Sequence, residues 1–405
     1  MKNKTEETIK EIYQQEIQAP PRFGRFNELR VIFFCLIISF LSGFLAALLK
    51  DNLIGQPASV GTTINVKSGN KAEILDLNFL LSKEDQSYNK VLNQLRSQTV
   101  GFYKKRAVTE DILNSLYLEK DFLGSGIVIT SDGWLLTHQQ VIDKQEVVII
   151  TADKKVYELL KKVTDPFSNT VLVQISAKDL APVKFADLDY SQVTDPLLTV
   201  RYSTQNHGSD IVKTSIQRFS YHDQVKPSDF ILSTERIDHY LKIANDFDLI
   251  YNGAALFNDK SEVVGLMFVS GRDKIRLAVP GYYLNSAVSN FLASSSEVMR
   301  ANLGVNYLDL SESLGLSAKV TEGRVKGAVL LGSKELNLLA VKPGSPAETA
   351  GLKAGDIVLK VNDEEINDKN SLTRLVQDYT PGQELKLNII RAGKEMEIKA
   401  VVGEM

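Results

Sequence analysis

A chain of 405 residues is too long to pack around one ordinary core, so two or three units are expected. With 43% apolar and 24% charged residues it is globular in composition, and a formal net charge of −3 gives no electrostatic footprint for nucleic acid. The single cysteine, Cys35, excludes an intrachain disulfide. With only His138, His207, His222 and His239 besides, no Cys/His cluster of zinc-site spacing exists, so neither metal nor cofactor is expected.

Residues 1–30 form a polar tail containing Pro20-Pro21. Val31 to Leu49 is an uncharged apolar run, ended by Arg30 and by Lys50-Asp51. At about 1.5 Å per residue a helix of that length covers roughly the 30 Å core of a bilayer. A cleaved signal peptide fits less well, because the preceding region is long and no small-x-small site follows. Arg22, Arg25 and Arg30 precede the span and only Lys50 follows it, which predicts a cytoplasmic N-terminus with the rest outside. Ser39, Gly43 and Ala47 make a small-xxx-small ladder of the kind that packs membrane helices. Residues 50–92, rich in Asn, Ser, Gly and Lys, read as a stalk ending in a helix from Ser82 to Leu95.

From there short β-branched runs recur, at Gly126–Thr130, Val147–Thr151, Val171–Ile175 and Val263–Val269. Asp132-Gly133 is a hairpin signal. Dense short strands with little helix predict an antiparallel barrel or sandwich over 93–295, closed by a helix at Leu284–Leu292. A mixed unit follows over 296–405, with strand-like runs at Leu338–Val341, Ile357–Val361 and Leu385–Ile390. Its helix runs from Ser371 to Tyr379 and is stopped by Pro381-Gly382.

In this last unit, Val341-Lys-Pro-Gly-Ser-Pro-Ala-Glu-Thr-Ala-Gly-Leu-Lys-Ala-Gly-Asp-Ile-Val-Leu-Lys-Val-Asn362 closely resembles the signature of bacterial PDZ domains. That resemblance implies binding of extended C-terminal peptides by strand addition, with backbone amides capturing the carboxylate. It assigns the carboxylate loop to Ala301, Asn302, Leu303 and Gly304, the edge strand to the residues from Val305, and the side-chain pocket to Leu372 and Val376.

Gly124-Ser-Gly-Ile-Val-Ile-Thr-Ser-Asp-Gly-Trp-Leu-Leu-Thr137 resembles the opening of the HtrA (Deg) family protease domain. Thr164-Asp-Pro-Phe-Ser-Asn-Thr-Val-Leu-Val-Gln-Ile175 and Tyr240 to Asn258 continue the likeness; 201–236 does not align. The implied fold is mainly β and multidomain: an N-terminal transmembrane helix, a chymotrypsin/trypsin-like double β-barrel, and a C-terminal α+β PDZ domain. The alignment puts Gln140 where the catalytic histidine belongs, Asn169 at the aspartate and Asn252 at the nucleophilic serine, with Ile250 replacing an oxyanion glycine.

Acyl transfer by this route needs a hydroxyl, an imidazole to take its proton and a carboxylate to hold the imidazole. Three side-chain amides supply none of these, and β-branched Ile250 disfavours the positive φ that glycine allows. The resulting expectation is a membrane-anchored pseudo-protease that binds peptides or protein C-termini outside the cytoplasm. Homo-oligomers and an active HtrA homologue are the further partners considered. The alternative is an active HtrA-type serine endopeptidase in extracytoplasmic quality control. There His138, on the same strand face as Gln140, would act with Ser168 or another serine. His207, His222 and His239 are expected at the surface.

Overall fold

The computed structural model describes residues 83–107, 112–143, 146–186, 195–203, 209–221, 226–270, 274–294 and 296–405. The expected tail, the 31–49 span and most of the stalk lie outside these residues. Among the described residues no helix is long and apolar enough to cross a membrane.

A helix, α1 (Lys83–Ser97), leads in and buries Leu95. The first sheet contains β1 (Thr99–Lys104), β2 (Phe122–Val128), β3 (Trp134–His138), β4 (Val147–Ile150), β5 (Val156–Glu158), β6 (Lys161–Asp165) and β7 (Thr170–Gln174). Their antiparallel order is β5-β4-β1-β2-β3-β7-β6, with a helical turn, α2 (Gln139–Ile142), after β3. The Asp132-Gly133 hairpin joins β2 to β3 as expected. Gly133 has φ +104°, and a Cβ there would stand 2.3 Å from the Ile175 carbonyl oxygen, so only glycine fits the turn.

The second sheet is built from β8 (Lys184–Phe185), β9 (Leu197–Tyr202), β10 (Ser209–Thr214), β11 (Ile216–Tyr221), β13 (Tyr240–Ile243), β14 (Ala255–Phe257), β15 (Glu262–Val269) and β16 (Arg276–Pro280). The path is β10-β9-β14-β15-β16-β13-β11, with β8 parallel to β15. One strand of this stretch, β12 (Ile231–Ser233), leaves that sheet altogether. Helix α3 (Gly281–Ser294) lays Leu284, Ala287, Val288 and Phe291 on the core, a 3.6-period stripe, with Phe291 edge-on to Trp134 at 4.5 Å.

The C-terminal unit runs β17 (Ala301–Asn302), β18 (Asn306–Asp309), α4 (Ala318–Thr321), β19 (Ala328–Leu330), α5 (Pro346–Thr349), β20 (Ile357–Val361) and β21 (Glu364–Glu365). It closes with α6 (Leu372–Gln377), β22 (Glu384–Arg391), β23 (Lys394–Val401) and β24 (Gly403–Glu404). Its sheet has the order β12-β18-β19-β20-β22-β23, so the leading strand comes from the preceding unit. Ser345 caps α5, accepting from the Glu348 amide at 3.2 Å, with Pro346 at the first helical position. The expected strand at Leu338–Val341 is reduced to isolated bridges, Val305↔Val341 and Ser333↔Leu338.

Arg300 ties the units together. Its side chain is fully buried and pairs with Asp165 through Nε at 3.0 Å and a terminal nitrogen at 2.5 Å. It also donates to the Tyr283 carbonyl at 3.0 Å and lies 4.9 Å from the Phe167 ring centre. Removing one partner of a buried pair leaves a charge without compensation. Urea unfolding of Arg300→Ala is therefore expected to lose about 3–5 kcal/mol. Lys399→Ala, which breaks an exposed pair with Glu384, should lose less than about 1 kcal/mol.

Candidate functional site

Strand β3 ends at His138 and the chain turns at once into α2, anchored by buried Val141 and Ile142. His138 and Gln140 are therefore not on one strand face, contrary to the extended-strand expectation. His138 is buried, stacked on Phe268 at 4.6 Å, and its Nδ1 accepts from the Gln140 amide at 3.3 Å. Burial pushes its pKa down to about 4. Among the described residues it makes no hydrogen bond to a serine. Ser168 is fully buried, its hydroxyl shared between Asp165 and Thr170.

Gln140 and Asn252 converge on one residue. The Gln140 side chain donates to the Val269 carbonyl at 3.2 Å, and the Asn252 side-chain oxygen accepts from the Val269 amide at 2.9 Å. Two residues earlier on the same strand edge, Met267 is paired by backbone, donating to the Ala254 carbonyl and accepting from the Gly253 amide, both at 2.8 Å. Two side-chain amides thus extend the β15 ladder by one residue beyond its last backbone partner. Gly253 makes the approach possible: at φ +74°, any Cβ would lie 2.0 Å from the Ser125 carbonyl oxygen.

Ile250 sits in a 3₁₀ turn, Leu249–Tyr251, whose geometry brings the Asn252 amide to the Leu249 carbonyl at 3.0 Å. Asn169 is exposed in the β6–β7 turn at φ +54°, a left-handed position that asparagine tolerates. Its backbone reaches the others, its carbonyl accepting from the Gln139 amide at 2.9 Å. Asn252→Ala would strand the buried Val269 amide, so a loss of about 1–3 kcal/mol is expected in urea unfolding. Asn252→Asp, which keeps an acceptor there, should lose less.

The second constellation lies between β18 and α6. Leu303 and Gly304 aim consecutive amides at one oxygen of Glu235, at 3.2 and 2.8 Å; the other oxygen takes the Lys342 ammonium at 2.6 Å. Gly304 has φ +82°, and a Cβ there would meet the Ser345 Cβ at 2.2 Å. Ala301 and Asn302 lie apart from this loop, paired with Glu404 and Gly403 in the β17–β24 ribbon. Leu372 and Val376 are fully buried in a cluster that includes Leu232. The strand from Val305 is not an edge, because β12 covers it. The signal for Leu232 and Glu235 was faint, a short apolar run, Phe230 to Leu232, in a stretch that does not align; Lys342 stands inside the PDZ signature, where nothing marks it for this contact.

His239, expected at the surface, is buried in a second contact between units; His207 and His222 fall outside the described residues. Asp238 accepts from the Tyr283 hydroxyl at 2.7 Å and from the Ser371 hydroxyl, and its other neighbour is His239 Nδ1 at 3.3 Å. His239 Nε2 stands 2.9 Å from the Glu312 carboxylate. Burial alone would lower the His239 pKa, but Asp238, then Glu312, raise it to about 10. Burial opposes ionisation of Asp238 as well, yet His239 and the hydroxyl donors bring it down to about 2.

The two signs define a window. His239 stabilises fully below its ordinary value of 6.5 and progressively less as pH rises toward about 10. Asp238 stabilises above its ordinary 3.8 and less as pH falls toward about 2. Melting temperature is expected to fall between pH 7 and pH 10, with a shallower decline in His239→Ala.

The trypsin-like peptidase domain family matches residues 124–266, and the PDZ domain family matches residues 312–402. The chain carries trypsin-like peptidase and PDZ domains, and its homologues are named DegP-like and DegS serine endoproteases. Among its HtrA relatives, a probable periplasmic serine endoprotease, DegP-like, of Marinomonas sp. (strain MWYL1) is 31% identical over 294 residues, covering 70% of this chain and 57% of the relative. The chain thus spans little more than half the length of its DegP-like relatives. Serine endoprotease DegS of Haemophilus influenzae is 22% identical over 337 residues, 81% of this chain and 90% of DegS. The solved structure titled HtrA-type protease AlgW with tripeptide shares the fold, with a TM-score of 0.56 at 18% identity over 78% of this chain and 97% of that one.

Proposed function

We propose that this HtrA-family chain is a pseudo-protease: a membrane-anchored, extracytoplasmic binding protein. In this reading the trypsin-like unit is a scaffold and the PDZ unit takes peptides or protein C-termini. The observation that carries it is the meeting of Gln140 and Asn252 on the backbone of Val269. Both side chains are engaged in finishing a β-ladder, and neither has the chemistry the aligned position demands. An amide at 252 offers no hydroxyl to acylate, and Gln140 has no nitrogen that titrates near neutral pH. The Asn252 amide hydrogen, which would face a developing oxyanion, is spent within the 3₁₀ turn.

The nonstandard site draws no support from the geometry. His138 is stacked on Phe268 with no serine partner among the described residues, and Ser168 is buried beside the Arg300–Asp165 pair. Loss of a complete triad costs about 2 × 10⁶ in turnover in a related chemistry. The names of the DegP-like relatives include "periplasmic", which supports an extracytoplasmic position. The apolar run at 31–49 supports the anchor. AlgW structures titled with a tripeptide and a decapeptide support the peptide-binding reading.

Purified chain is expected to leave unfolded casein intact and to take no label from a phosphonate serine-protease probe. Asn252→Ser alone should remain inert, because the imidazole, the carboxylate and the oxyanion turn are all still missing. Casein cleavage by the unaltered chain that disappears in His138→Ala would replace this proposal with the active-endopeptidase reading.

A further inference from the structure

The groove of the PDZ unit is filled by a segment of the same chain. Strand β12 pairs antiparallel with β18 in the register Ile231↔Leu308, Leu232↔Tyr307, Ser233↔Asn306. Thr234 continues the ladder, its amide donating to the Val305 carbonyl at 3.2 Å and its hydroxyl accepting from the Val305 amide at 3.4 Å. From α6, Thr373 donates to the Ser233 carbonyl at 3.1 Å and Gln377 to the Thr234 carbonyl at 2.9 Å. Leu232 is buried in one cluster with Leu372, Leu375 and Val376. The Glu235 carboxylate then rests on the amides of Leu303 and Gly304 and on Lys342.

An added strand ending in a carboxylate held by successive backbone amides is how such a groove receives a chain terminus. Here the carboxylate belongs to the side chain of Glu235, two residues past the end of β12. We infer that residues 231–235 are an internal ligand, with Glu235 standing in for a terminal carboxylate, and that a partner's C-terminus binds by displacing them. This rests on the peptide-binding reading above and adds the chemistry of the ligand. The displacing peptide carries a free terminal carboxylate, a small residue in the place of Thr234 and an aliphatic residue two positions earlier in the place of Leu232. Those two positions share a strand face and are both buried.

The tether sets the affinity such a peptide meets. A linked segment competes at an effective concentration on the order of millimolar, so the unaltered groove binds free peptide weakly. Weakening the internal ligand should therefore tighten peptide binding at least about tenfold.

The experiment uses the full chain and two variants. Glu235→Gln removes the charge, while Leu232→Ser removes the apolar anchor and keeps the carboxylate. Each is titrated with a fluorescein-labelled peptide ending in Ile-Leu-Ser-Thr, with a free terminal carboxylate or an amide, and amide hydrogen exchange is followed over 303–308. The expected result is faster exchange in both variants and at least tenfold tighter binding of the carboxylate peptide only. Equal affinity in all three proteins, with the amide peptide still rejected, overturns the internal ligand and leaves the peptide-binding reading standing. Absence of binding in all three overturns that reading and the inference with it. Unchanged exchange in both variants overturns the inference whatever the peptide does.

Discussion

The five residues from Ile231 to Glu235 belong by chain position to the trypsin-like unit and by hydrogen bonding to the PDZ sheet. That shared strand fixes how the two units meet. A sheet edge presents unpaired donors and acceptors that must be covered or solvated, and here β12 covers β18 from Asn306 to Leu308. Because β12 is bracketed by β11 and β13 of the second sheet, the PDZ unit cannot move off without uncovering its own groove. The Arg300–Asp165 and Asp238–His239–Glu312 contacts flank this strand, and each joins residues far apart in sequence.

The same physics operates at the end of β15. Val269 continues a strand edge whose backbone partner has ended, and its amide and carbonyl are met by the side chains of Asn252 and Gln140. A primary amide carries both a donor and an acceptor, so asparagine and glutamine are the side chains best able to stand in for a neighbouring strand. At both sites a group of the chain itself meets strand or loop backbone. At β15 this arrangement supports a role without chemistry; in the groove it supports a role gated by competition.

Two clusters of buried charge lie where the units touch. Arg300 with Asp165, and His239 with Asp238 and Glu312, are each costly to desolvate and are retained with full sets of hydrogen bonds. Such groups specify geometry, because a displaced partner leaves its mate uncompensated in a low-dielectric interior. The docking of the two units is accordingly strict in register.

Much of the fold was legible in residue order. The Asp132-Gly133 hairpin, the strand at Ile357–Val361 and the helix over Leu284–Leu292 follow from local turn chemistry and periodicity, which tertiary context did not override. Positions 140 and 252 were marked by their spacing from family motifs, and the structure brings both to Val269. What sequence could not supply was contact across long separations. The region 201–236 did not align, so β12 and Glu235 went unassigned, and Gln140 was expected on a strand that ends at His138. His239, polar and unaligned, was expected outside, but Asp238 and Glu312 make its burial possible. Sequence alone determined which residue types stand at positions 140, 169 and 252, because residue type is read directly at each aligned position. The tertiary structure alone decided what meets Val269 and the Gly304 loop, because their partners are brought to them only by folding.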